Sequence, residues 1–133
     1  MANYYSQGRT NYFQVKDGQK FEEIINSLGE GVSPSMELIK DERGYCLLFE
    51  EGIPTYFYNE ENNEEYEVDL ETIIKENLAD GSVCVMMEVG AEKLRYLSGY
   101  AVAFNNKGEK KVIDLNHVYD GLESLGTFTQ CEW

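Results

Sequence analysis

Val83-Cys84-Val85-Met86-Met87-Glu88-Val89, followed after a short polar step by the run Leu94 to Phe104, decides the fold. In the first run Val83, Val85, Met87 and Val89 alternate with Cys84, Met86 and Glu88, and both sets are largely apolar. A strand of that kind reads as central, buried on one side or on both, and Val85, midway along it, reads as core. The second run places Leu94, Tyr96, Tyr100, Val102 and Phe104 on one side and Leu97, Gly99, Ala101 and Ala103 on the other. The small residues leave room for a helix to pack closely. A turn through Gly90 to Lys93 joins the two runs, with Glu88 facing Arg95 as an ion pair that sets the register.

Working outward, Asn105-Asn106-Lys107-Gly108 turns the chain into a strand, Lys110 to Ile113. Asp114 then caps a helix carrying Leu115, Val118, Tyr119, Leu122 and Leu125. Upstream, Tyr66 to Val68 runs into Asp69, which caps a helix with Leu70, Ile73, Ile74 and Leu78 on one face. Before it lie strands at Met36 to Lys40, Tyr45 to Glu50 and Thr55 to Tyr58, with Asp41-Glu42-Arg43-Gly44 as a hairpin turn and Asn59 to Glu65 as a loop or hairpin tip. The chain opens with a strand at Asn11 to Val15 and an Asp17-capped helix bearing Phe21, Ile24, Ile25 and Leu28, ended by Gly29.

The expected architecture is therefore α+β: a mostly antiparallel sheet of six or seven strands with three helices packed on it. Val68-Asp69-Leu70-x-x-Ile73-Ile74 and Ile113-Asp114-Leu115-x-x-Val118-Tyr119 are alike, as a duplicated βββα unit would make them. The plainer explanation is that any strand entering an Asp-capped amphipathic helix looks this way.

A chain of 133 residues, 42% apolar and 13% aromatic, can bury one core, so residues 1–133 form a single domain. It contains no run of eighteen apolar residues, and Met1-Ala2-Asn3-Tyr4-Tyr5 has neither the basic nor the apolar part of a signal peptide. A soluble cytoplasmic protein is expected. Cys46, Cys84 and Cys131 are odd in number and far apart, which argues against a disulfide framework and a Cys-x-x-Cys metal knuckle. Cys46 and Cys84 read as reduced core residues.

Charge is the other informative property. Between Glu51 and Glu92 twelve acidic residues stand against Lys75 alone, and this stretch holds −11 of the total −14. Such a surface repels phosphate and anionic lipid, so neither nucleic acid nor a membrane is an expected partner. Enzyme chemistry lacks parts: His117, the one histidine, lies on an expected helix without a nucleophile context. Metal ligands of the Cys/His type, an EF-hand spacing and phosphate-binding glycine motifs are all missing, and no cofactor or metal is expected.

Asn11-Tyr12-Phe13-x-Val15-Lys16-Asp17 and Glu88-Val89-Gly90-x-Glu92-Lys93-Leu94-Arg95-Tyr96, with the opening Met1-Ala2-Asn3-Tyr4-Tyr5 and the ending Cys131-Glu132-Trp133, resemble small uncharacterised proteins of phages, plasmids and conjugative elements. The resemblance brings no activity, cofactor or catalytic residue. It implies a genetic setting in which small acidic proteins disarm host restriction or CRISPR systems.

Two functional expectations follow. In the first, Glu60, Glu61, Glu64, Glu65, Glu67, Asp69 and Glu71 occupy the basic, nucleic-acid-binding surface of a host protein. Same-face carboxylates on one strand stand about 7 Å apart, whereas duplex DNA offers a phosphate every ~1.7 Å of axis. Loop and helix-entry acids must therefore converge with the strand. A solvated face is the bland alternative. In the second expectation, Lys93, Arg95, Tyr96 and Tyr100 bind an anionic small ligand or nucleotide. Homodimer formation is left open.

Overall fold

The computed structural model describes residues 4–29, 36–54, 56–59, 64–92 and 96–131. Strand β1 (Tyr4–Thr10) is followed by helix α1 (Gly18–Gly29), the hairpin β2 (Met36–Asp41) and β3 (Gly44–Phe49), and a second hairpin, β4 (Tyr56–Asn59) and β5 (Glu64–Glu67). Helix α2 (Leu70–Asn77) then leads into β6 (Cys84–Glu92), β7 (Tyr96–Phe104) and β8 (Lys110–Asp114). Six strands form one antiparallel sheet in the order β2-β3-β1-β6-β7-β8, and β4-β5 pair separately. The α+β class stands.

β1 is the element the sequence hides. Its residues, Tyr-Tyr-Ser-Gln-Gly-Arg-Thr, look like a polar terminus, yet they run between β3 and β6 near the middle of the sheet. The strand expected at Asn11 to Val15 is instead the exit from the sheet, where Asn11 N still donates to Val85 O at 3.0 Å and isolated bridges join Phe13 to Tyr45 of β3 and Val15 to Leu78 at the end of α2. Two side chains take over the backbone ladder there. Thr10 Oγ1 accepts from Leu47 N at 2.9 Å, and Asn11 accepts from Val85 N at 2.8 Å while its amide donates to Val83 O at 3.0 Å. Gly44 permits the Phe13–Tyr45 bridge, since its φ of 124° is left-handed and a Cβ there would strike the Phe13 carbonyl.

Both α-helices cover the same side of the sheet. Phe21 and Ile25 of α1, with Leu70 and Ile74 of α2, pack with Tyr45, Leu47 and Phe49 of β3, Cys84 and Met86 of β6 and Val102 and Phe104 of β7. Phe21 meets Phe13 and Tyr45 edge-on, and the Tyr45 hydroxyl donates to Glu22 at 2.8 Å. Cys84 lies within this core, and burial pushes its thiol pKa up, which keeps it neutral and inert.

Several expectations shift in detail. β6 buries Cys84 and Met86, so Val85 is half-buried on the opposite side and the core position is Met86. β6 runs on to Glu92, opposite Tyr96, so Gly90, Ala91 and Glu92 belong to the ladder and not to a turn. The small-residue side of β7 is not the side α1 and α2 cover. Downstream of Asp114 the chain forms 3-10 helices, Leu115–Tyr119 and Leu122–Ser124, with no buried residue in either. The two Asp-capped units also differ in setting: β4 and β5 form their own sheet, while β7 and β8 belong to the main one.

Candidate functional site

The acidic stretch is organised by the entry to α2. Asp69 caps the helix, Oδ1 accepting from Thr72 N at 3.2 Å and Oδ2 from the Thr72 hydroxyl at 2.8 Å. The Thr72 side chain in particular holds the Asp69 carboxyl below its ordinary range, against a smaller opposing effect of burial. Glu71, in the first turn, receives Lys110 Nζ of β8 at 2.9 Å. β5 delivers Glu64 and Glu67 just upstream, both exposed.

The segment after β3 crosses the sheet and closes the site from the other side. Ile53 N donates to Glu88 Oε1 at 2.6 Å, so the Glu88 carboxylate is held by the backbone of this crossing. In the β6–β7 register Glu88 stands opposite Tyr100, and Tyr100 in turn stands opposite Asp114 of β8. Glu88 thus has Tyr100 across the strands and the Ile53 amide on its carboxylate, while Arg95, its expected partner, lies outside the described residues. A cleft of about 210 Å³ opens here, where Glu67, Asp69 and Glu71 meet Ile53, Met86 and Tyr100.

Of the residues expected to bind a partner, Glu67, Asp69 and Glu71 converge on this cleft and Glu64 is exposed on the adjoining strand. Glu60 and Glu61 lie outside the described residues, as does the side chain of Glu65. Of the alternative set, Lys93 and Arg95 lie outside them too, and Tyr96 is described only through its backbone pairing with Glu92. Tyr100 belongs with the acids. Its neighbours Glu67, Asp69, Glu71, Glu88 and Asp114 make the cleft a place for a cationic group, and an aromatic face adds to that preference. An anion would meet repulsion from the carboxylates of Glu67, Asp69 and Glu71.

A second surface escaped the sequence reading. Met87 and Val89 of β6, 53% and 61% exposed, lie on the side of the sheet turned away from α1 and α2, as do Tyr5, Leu97 and Ile113, also exposed. The available signal was the double apolar alternation from Val83 to Val89, which marks both sides of the strand without saying which is covered. Beside Met87 and Val89, Arg9 and Leu48 line a shallow groove of about 330 Å³. Arg9 lies flat there, its guanidinium donating to Thr10 O at 3.0 Å and to Cys46 Sγ at 3.4 Å.

Among the described residues no group of three or more His, Cys, Asp or Glu side chains is arranged to hold a metal ion, and no helix is long and apolar enough to cross a membrane. His117 is exposed and accepts from Asp114 N at 2.7 Å through Nδ1, serving the start of the 3-10 helix. Compared with protein-family models, with curated proteins and with solved structures, the chain matches none.

Proposed function

We propose that this chain is a non-enzymatic interaction protein that engages a basic surface of another protein through its acidic end. The observation that carries this reading is the gathering of Glu67, Asp69, Glu71, Glu88 and Asp114 around Tyr100, with Glu64 exposed on the adjoining strand. Strands β5, β6, β7 and β8 and the start of α2 supply these groups, so they reach a density that a single strand could not. The target class that the family resemblance suggests is a nucleic-acid-binding protein of a host restriction or CRISPR system, in the cytoplasm of the host cell. A small anionic ligand at Tyr100 is the weaker reading, because the same acids oppose it.

The test is capture from host lysate by the wild-type protein and by a variant with Glu60, Glu61, Glu64, Glu65 and Glu67 all reversed to Lys. A basic nucleic-acid-binding protein should be retained by the wild type at low salt, released as salt rises, and ignored by the variant. Equal capture by both proteins, or capture insensitive to salt, refutes the acidic end as the binding surface.

A further inference from the structure

The bare side of the sheet has a composition and a register that fit one occupant. We propose that it is a self-association surface on which two copies of this chain pack face to face about a two-fold axis parallel to the strands. In a chain of net charge −14, Glu37, Asp41 and Glu50 on this side are balanced by Arg9, Lys111 and Arg43, the last ion-paired with Asp41. Repulsion between copies is therefore weakest here, and a basic partner is drawn to the acidic end on the other side instead.

The residues also complement one another under that axis. One row across the sheet reads Glu37–Leu48–Arg9–Met87–Ala101–Ile113. A two-fold axis between β1 and β6 sets β1 over β6, β3 over β7 and β2 over β8 of the second copy. Arg9, held flat by Thr10 and Cys46, then lies over Met87. The large Leu48 lies over the small Ala101, and Glu37 lies over Ile113, two residues from Lys111 on the same strand. Bulk on the β2–β3 half meets the Ala101 and Ala103 hollow of β7, as interdigitating sheets require. Leu115 packs over Gly99 and borders the hollow, with its Cγ and Cδ1 3.3 Å from where a Cβ would stand.

The area suffices. Six strands about 4.8 Å apart and β1-length strands rising about 3.3 Å per residue cover roughly 650 Å², close to the ~800 Å² per partner of a standard interface. Packing this side leaves the acidic cleft of each copy pointing outward, so the proposal stands or falls independently of the acidic end.

Sedimentation equilibrium of the full chain over a range of concentrations tests it. The expected result is a reversible approach to twice the 15.3 kDa chain mass. Changing Met87→Glu together with Val89→Glu should weaken association on the order of 100-fold with an unchanged circular-dichroism spectrum. Glu37→Lys should weaken it a few-fold, and adding Lys111→Glu should restore it. A wild type that stays monomeric throughout, or a dimer that survives the Met87→Glu, Val89→Glu pair, overturns the proposal. Failure of Lys111→Glu to rescue Glu37→Lys overturns the two-fold arrangement.

Discussion

Met86 and Met87 are adjacent in β6, yet Met86 is 3% exposed among Leu47, Ile74 and Val102 while Met87 is 53% exposed on the uncovered side of the same sheet. Along β6 both sides carry apolar side chains, Cys84 and Met86 on one and Val85, Met87 and Val89 on the other. What separates them is the pair of helices: α1 and α2 each present one apolar stripe, and both stripes settle on the side that holds Tyr45, Phe49 and Phe104. The lesson is that period two locates a strand and its two sides, but the partner element decides which side becomes core.

The largest expected effect breaks this comparison at its centre. Met86→Asp should unfold the protein, because an unpaired charge in the core costs several kcal/mol against a total of about 5–15. At protein concentrations too low for self-association, Met87→Asp should leave the fold intact and change stability by less than about 1 kcal/mol. Urea denaturation followed by circular dichroism measures both. Two folded variants, or two unfolded ones, would mean that the sides are not distinguished as described.

Next in size is Thr10, the buried polar residue on the covered side among the described residues. Its hydroxyl accepts the Leu47 amide where β1 and β3 part. Thr10→Val keeps the shape and leaves that N–H without a partner, a loss of about 1–3 kcal/mol. Thr10→Ser should retain most of the stability, which separates the hydrogen bond from the packing.

How much of this was legible in the sequence follows from which forces act locally. α1 and α2 were readable because Phe21, Ile25, Leu70 and Ile74 repeat at helical spacing behind Asp17 and Asp69, and each cap is made within three residues. The β2–β3 hairpin was readable from its polar turn. β1 was not, since its place in the sheet rests on backbone pairing to both neighbours, which Tyr-Tyr-Ser-Gln-Gly-Arg-Thr does not advertise. Leu115, Val118, Leu122 and Leu125 repeat like a helix that packs, but the chain there forms 3-10 turns in which no residue is buried, with Leu115 lying against Gly99 of β7. At the acidic end, Glu67 to Glu71 could be singled out by local charge; their meeting with Tyr100 depends on the β7 register and the Ile53 crossing, both tertiary.

A smaller effect probes the helix that closes the covered side. Asp69 has its pKa lowered in the fold by Thr72, so its contribution is present in full above the ordinary value of 3.8 and is lost as pH falls through the lowered folded value. Asp69→Ala should cost about 1 kcal/mol at neutral pH and Asp69→Asn much less. The difference between wild type and Asp69→Ala should shrink only in that acid window. A difference that is constant from neutral pH down to full protonation would show that the carboxylate is not the capping group.

The smallest effect concerns the ion pair that ties α2 to β8 beside the cleft, and it separates structure from binding by sign. Glu71 and Lys110 are 31% and 46% exposed, so losing either partner should cost no more than about 1 kcal/mol, and less at high salt. Glu71→Gln and Lys110→Gln remove the same contact and should be nearly equal in thermal stability. Their effects on a basic partner should be opposite: Glu71→Gln takes a negative charge from the cleft and weakens binding a few-fold, whereas Lys110→Gln removes the neighbouring positive charge and strengthens it. If the pair serves only to hold α2 against the sheet edge, both variants will bind alike, and the acidic end loses its claim as the contact surface.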